Sequence, residues 1–192
     1  MTEGIRVPNR GLLFVISGPS GAGKGTVREG LMREHPEIHH CVSVTTRRPR
    51  PGEVPGVSYM FTDPSEFQRK IDKGEFLECA DVYGNLYGTL REPVETLLDQ
   101  GHDVILEKDT QGALAIHEVM PEATLIFIAA PSVDELRARI EKRGTETAAD
   151  VFCRLSWAEQ ELNKTKLFDY VVVNYEVDDS VKVLGAIIIA ER

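Results

Sequence analysis

Apolar residues in this chain cluster in short unbroken runs rather than strictly alternating with polar ones. Gly11-Leu-Leu-Phe-Val-Ile-Ser17, Asp103-Val-Ile-Leu-Glu107, Ala123-Thr-Leu-Ile-Phe-Ile-Ala129 and Tyr170-Val-Val-Val173 are such runs. Runs of this length, bounded by glycine or polar residues, predict strands buried on both faces, as in a parallel sheet covered by helices. Between them lie segments of helical character. These are Lys24 to Glu34, ending before Pro36; Arg91 to Gln100, stopped by Gly101; and Gln111 to Val119, stopped before Pro121. Ser132 is placed to cap a further helix, with Asp134 and Glu135 in its first turn, running to about Arg143 before Gly144. Strand and helix in alternation predict an α/β fold.

Two stretches interrupt the alternation. Residues 41–90 hold short strand-like pieces, a capped helix from Ser65 to Lys73 and the turn-like Tyr83-Gly-Asn-Leu-Tyr-Gly88. Residues 132–168 are helical, polar and rich in arginine. Both are expected as insertions at one edge of the sheet, where open α/β folds bind ligands. The core is then 11–40, 91–131 and 169–192 within a single domain.

Composition narrows the function without naming it. The chain has 192 residues, 42% hydrophobic and 28% charged, which is ordinary for a soluble globular protein. A net charge of −9 speaks against a general nucleic-acid binder, but a local arginine cluster can still hold a small anion. Cys41, Cys79 and Cys153 are widely spaced and odd in number, which suits a reducing compartment and neither a disulfide framework nor a zinc site. His39 and His40 have no accompanying ligand array. Leu12 to Ile16 is too short for a signal-peptide core or a membrane span, so a soluble cytoplasmic protein is expected, with no nucleic-acid or membrane partner.

The chemistry starts at Gly18, Pro19, Ser20, Gly21, Ala22, Gly23, Lys24, Gly25 and Thr26, between the first strand and the first helix. A strand, a glycine-rich turn and a helix in this order make a nest of backbone N–H groups for a phosphate chain. The helix N-terminus adds its positive end, and Lys24 adds a movable charge for the β and γ phosphates. Gly18, Gly23 and Lys24 meet the phosphate-loop consensus, but Gly25 stands where a serine or threonine hydroxyl ordinarily meets Mg²⁺. Thr26 is one position further on, better placed for an α-phosphate. Mg²⁺ is therefore expected to be held by water and nucleotide oxygens, with no direct protein ligand.

A second cluster, Ser43-Val-Thr-Thr-Arg-Arg-Pro-Arg-Pro-Gly52, places Arg47, Arg48 and Arg50 within four positions. Such arginines can fork around a dianionic phosphate. On composition alone, a solvated basic loop or a sorting signal is an equal reading.

Together these segments resemble the guanylate kinase family. The resemblance continues through Gly56-Val-Ser-Tyr59, Glu75-Phe-Leu-Glu78, Tyr83-Gly-Asn-Leu-Tyr-Gly-Thr89, Asp109-Thr-Gln-Gly112, Ala130-Pro-Ser-Val133 and Arg143-Gly-Thr-Glu-Thr147, in the family's order over nearly the whole chain. It implies transfer of the ATP γ-phosphate to GMP, and to dGMP, with Mg²⁺, by a P-loop kinase core carrying a GMP-binding region (41–90) and a lid (132–168). It assigns Arg47, Arg50, Tyr59 and Tyr87 to the GMP phosphate, and Ser43, Glu78, Thr89 and Asp109 to the guanine, with Glu107 beside them. Guanine offers N1–H and N2–H to one carboxylate, whereas adenine would turn its N1 lone pair on it; this suits Glu78. Without the family, Glu78 and Tyr87 would pass as surface residues of a hairpin.

The resemblance also makes Arg139, Arg143 and Arg154 lid arginines that act with Lys24 on the transferring phosphoryl group. Taken one at a time, each would be read as part of a solvated face paired with Glu135, Glu141 and Glu146. Lys108 departs from the family, which has an apolar residue between Glu107 and Asp109. Strand alternation puts both acids toward the site and Lys108 on the opposite side, where a lysine must find a partner or solvent; pairing with an acid near the cleft is the other outcome. Two further readings stay open: a non-catalytic interaction module of the same fold, and a P-loop kinase with another acceptor. A monomer and a homodimer fit equally.

Overall fold

The structure, a computed structural model, describes residues 10–82, 84–142 and 148–192. Five strands form a parallel sheet: β1 (Leu13–Ser17), β2 (His39–His40), β7 (Val104–Glu107), β8 (Thr124–Ala129) and β9 (Tyr170–Val173), in the order β2-β7-β1-β8-β9. β1 lies at the centre, pairing Phe14 with Ile105 on one side and with Thr124 on the other. The residues between β2 and β7 carry the second sheet: β3 (Val44–Thr45), β4 (Met60–Phe61), β5 (Phe76–Val82) and β6 (Asn85–Leu90), ordered β4-β3-β6-β5.

The central runs are apolar because both faces of the parallel sheet are covered. Successive residues of β1 point to opposite sides. Leu13 and Val15 enter one cluster with Val104, Leu106, Ala113 and Ile116. Phe14 and Ile16 enter the other with Val27, Leu31, Val181 and Leu184. The helices covering the first side are α3 (Arg91–Asp99) and α4 (Thr110–Val119); α1 (Lys24–Glu34) and α7 (Val177–Glu191) cover the second. Burying each Val, Leu, Ile or Phe side chain contributes about 1.5–3 kcal/mol, so these layers hold together the frame under the site. β9 is an edge strand, with Val171 and Val173 exposed.

The remaining helices are α2 (Pro64–Asp72), α5 (Val133–Lys142) and α6 (Ala148–Leu162). α2 begins one residue earlier than the serine-led reading, because Asp63 is its cap: the carboxylate accepts from Glu66 N at 2.9 Å, and Pro64 occupies the first turn. The Ser132 cap is present, its Oγ accepting from Glu135 N at 3.1 Å. α5 and α6 share a small core of Leu136, Ile140, Val151 and Ala158.

The turn-like stretch from Tyr83 to Gly88 is mostly strand, since β6 starts at Asn85. The reversal is confined around Gly84, whose φ of 75° suits glycine and whose N–H donates to Asp81 Oδ1 at 2.7 Å. Tyr83 itself, and Arg143 to Thr147, lie outside the described residues. No described helix is long and apolar enough to cross a membrane.

Candidate active site

The phosphate loop leaves the carboxyl end of β1. Gly18 has a φ of 134°, and a Cβ there would lie 2.0 Å from Ile128 O; only glycine lets the chain pass β8 this closely. Gly23 starts α1 in the left-handed region at φ 94°, with no side chain capping the helix. The first amides of α1 therefore remain available to an anion. Asn174, just after β9, buttresses this loop. Its Nδ2 donates to Ala22 O at 2.8 Å while its Oδ1 accepts from Ser180 Oγ at 2.9 Å, both in the interior. Sequence reading missed Asn174; its only signal was a polar residue closing an apolar strand.

A cavity of about 500 Å³ opens over the loop. It is lined by Gly18, Ser20, Gly21, Gly23, Lys24, Gly25 and Thr26, and on the far side by Arg154, Trp157 and Glu161 of α6. Lys24 Nζ donates to the carbonyls of its own loop, Gly18 O at 2.5 Å and Pro19 O at 3.1 Å. Arg154 Nη1 donates to Ser20 Oγ at 2.8 Å, which ties α6 to the loop. Glu161 faces the same space, and burial pushes its carboxyl above the usual range, with Lys24 opposing the shift.

A larger cavity of about 970 Å³ adjoins the first. Ser43, Tyr59, Glu78, Tyr87, Glu107, Lys108 and Asp109 line it, with Arg28 and Glu53. The two cavities have Lys24, Gly25, Val82, Glu107 and Asp109 in common. Arg28, another residue the sequence did not single out, pairs with Glu107 Oε2 at 3.0 Å.

Arg47, Tyr59 and Tyr87, which the resemblance assigns to a phosphate, lie together in one group. Arg47 makes a two-pronged pair with Glu53, at 2.7 and 3.1 Å, and donates from Nε to Tyr87 Oη at 3.0 Å. Its guanidinium carbon lies 5.3 Å from the centre of the Tyr59 ring. The hydrogen bonds from Arg47 hold the Glu53 carboxyl below its usual range. Arg50 is exposed, and its backbone N–H donates to Glu53 Oε2 at 2.8 Å.

At the other end of the cavity, Thr89 is buried behind Glu78 and donates to Glu78 Oε1 at 2.6 Å. Asp109 caps α4, accepting from Gly112 N at 2.7 Å, and keeps its place on the shared wall. Lys108 does not lie away from the site. It has the parity of Val104 and Leu106, but one step past the end of β7 that face is filled by Ser43 and Glu78 instead of apolar side chains. Nζ donates to Ser43 Oγ at 2.6 Å and pairs with Glu78 Oε1 at 3.2 Å.

Of the three arginines expected on the lid, Arg154 reaches the loop. Arg139 turns to Glu135, at 2.8 Å, and to Asn174 O, at 3.1 Å, and lines neither cavity. Arg143 lies outside the described residues.

A glycine-rich loop on a parallel sheet, with a second cavity sharing its wall, is the arrangement expected of a P-loop kinase. Residues 10–191 match the family model described as guanylate kinase. A protein named guanylate kinase from Clostridium perfringens is 49% identical over 192 residues, covering all of this chain and 89% of its own. Its namesake from Clostridium tetani is 50% identical over 183 residues, 95% of this chain and 88% of its own. The crystal structure of guanylate kinase from Anaplasma phagocytophilum superposes with a TM-score of 0.79 at 36% identity, covering 95% of this chain and 86% of that one. The chain belongs to the guanylate kinase family, and is a nucleoside monophosphate kinase.

Proposed function

We propose that this enzyme transfers the γ-phosphate of ATP to GMP, and to dGMP, giving ADP and GDP with Mg²⁺. The observation that carries the reading is the shared wall: a backbone-lined anion cavity and a side-chain-lined cavity meet at Lys24, Gly25, Glu107 and Asp109. ATP takes the first and GMP the second, so that donor and acceptor phosphates approach across Lys24. Phosphoryl transfer asks for alignment and positive charge more than covalent help. Residues 41–90 then form the acceptor region and 132–168 the lid.

In this role Lys24 exchanges the neutral carbonyls of Gly18 and Pro19 for anionic phosphate oxygens, a stronger pairing. Arg154 stays over the loop and Arg139 leaves Glu135 as the lid closes. Arg47, set by Glu53, Tyr87 and Tyr59, and Arg50 bind the GMP phosphate. Glu78 accepts from guanine N1–H and N2–H. The donor chemistry fits a hydrated Mg²⁺: Glu107 and Asp109 are carboxylates on the shared wall, and a Cβ at Gly25 would lie 3.6 Å from Glu107 Oε2. A bound Mg²⁺ would neutralise phosphate charge, and Glu107 and Asp109 would help to hold it through water.

The test is ADP formation with GMP, dGMP, AMP and UMP as acceptors. GMP and dGMP are expected to support turnover and AMP and UMP to fail. Equal turnover of AMP or UMP would indicate a kinase with another acceptor, and no turnover with any would indicate an interaction module.

A further inference from the structure

Lys108 places a positive charge on the floor of the acceptor cavity, its side chain only 8% exposed and that of Glu78 only 5%. Burying an ammonium is costly unless it is paired and hydrogen-bonded. Glu78 and Ser43 offset that cost, so the pair can persist in the folded protein. The ammonium also dictates the hydrogen-bond polarity of its neighbours.

An ammonium has three N–H donors and no lone pair to offer, so Ser43 Oγ must accept from it. The serine's own proton is then left for a third group. Thr89 likewise spends its proton on Glu78 Oε1, and Glu78 Oε2 keeps its acceptor capacity. The cavity floor thus presents donors from Lys108 and Ser43 next to an acceptor from Glu78. The base edge of guanine runs acceptor, donor, donor across O6, N1–H and N2–H, which is the complement. Adenine reverses both of the first two positions, so its 6-amino group would face donors and its N1 lone pair would face the carboxylate.

We propose that Lys108 is a specificity-determining residue: it donates to the 6-oxo group of the purine and fixes Ser43 as a second donor there. The site thereby selects 6-oxopurines at two positions, at N1 through Glu78 and at C6 through Lys108. This rests on the GMP-acceptor reading above. The ammonium also offsets the charge of the Glu78 carboxylate, leaving Asp109 as the further acid beside the base.

The experiment compares GMP with its 6-thio analogue, which keeps N1–H and N2–H but replaces O6 by a poor acceptor. Wild-type enzyme and Lys108→Met are assayed for kcat/KM with each acceptor and for the KM of ATP. The wild type should prefer GMP by about ten- to a hundredfold. In Lys108→Met, GMP efficiency should fall toward that of the analogue, so that the preference shrinks to within about threefold. The loss should appear in the KM for GMP, with kcat at saturation and the KM for ATP little changed.

An unchanged preference in the variant, or no preference in the wild type, overturns the assignment and leaves Lys108 as a counterion of Glu78. If Lys108→Met does not fold, Lys108→Met/Glu78→Gln removes both charges, and its preference is read against that of Glu78→Gln alone. Failure of wild-type enzyme to phosphorylate GMP would instead sink the acceptor reading itself.

Discussion

The two cavities are built from different materials. The loop side of the proposed donor cavity is mostly backbone: glycines at 18, 21, 23 and 25, the uncapped start of α1, and Lys24 resting on its own loop, faced by the side chains of Arg154, Trp157 and Glu161. The acceptor cavity is mostly side chains that already satisfy one another. Lys108 is held by Glu78 and Ser43, and the lining residues Glu53 and Tyr87 are tied to Arg47 beside the cavity. A backbone nest needs no partner when empty, because water solvates its amides. A floor of buried charges must be paired before any ligand arrives. On the proposed reading the donor side offers backbone amides to its ligand, whereas the acceptor side is preorganised by pairs of charged side chains.

The sharpest way to break this contrast is at Lys24. Lys24→Ala should lower kcat by about 10³-fold, because it removes charge from the transferring phosphoryl group. The KM for GMP should stay within about threefold, and the melting temperature should barely move. A variant with normal turnover and weakened GMP binding would place Lys24 on the acceptor side and undo the division.

Glu78→Gln tests the other half. On the proposed reading it removes the acceptor for two guanine donors and should cost about 10²-fold in kcat/KM for GMP. Unlike Lys24→Ala, it should also destabilise the fold by about 3 kcal/mol, since it leaves the Lys108 ammonium buried without its counterion. Steady-state kinetics together with urea unfolding separate the two effects. Full stability in Glu78→Gln would mean that the acceptor floor is not a mutually dependent network.

The same contrast explains what the sequence could disclose. The strands β1, β7, β8 and β9 and the phosphate loop were legible because local patterns make them: unbroken apolar runs, and glycines at fixed spacing. β2 was not, because two histidines carry no apolar signal and its pairing with β7 is a tertiary matter. Arg28 looks like an ordinary surface charge until the fold sets it against Glu107, and Glu53 closes a family-like motif without showing that it pairs with Arg47. Lys108 shows the limit most plainly. Strand parity alone placed it away from the site, yet what occupies that side changes from Leu77 and Cys41, around the strand, to Ser43 and Glu78 beyond its end. Family resemblance supplied the proposed acceptor residues, but could not state how a residue absent from the family pattern would alter them.

Asn174 offers a smaller perturbation confined to the donor side. Asn174→Ala removes the donor to Ala22 O and the acceptor for Ser180. Two buried groups losing partners should cost about 2 kcal/mol, or about 4–8 °C in melting temperature for a chain of this size. The phosphate loop loses its brace beneath Gly23, so the KM for ATP should rise while that for GMP holds. A parallel rise in both would show that the brace serves the whole site.

The mildest prediction concerns His40, on the acceptor side; the described lining of the donor cavity contains no histidine. Burial, with Arg28 and Lys108 nearby, lowers the imidazole from 6.5 to about 4. A base depressed in the folded state is neutral there while the unfolded chain takes up a proton. Its contribution is thus complete above about pH 6.5 and is lost as the pH falls toward about 4. The loss is on the order of 2 kcal/mol across that window. His40→Gln should flatten this part of the stability profile, measured by urea unfolding at pH 5 and pH 7.5. If wild type and variant lose stability equally between those values, the acid sensitivity resides elsewhere. If the variant alone is flat, the burial of His40 in the wall of the acceptor cavity, with Arg28 and Lys108 adding to it, sets the acid limit of the folded state.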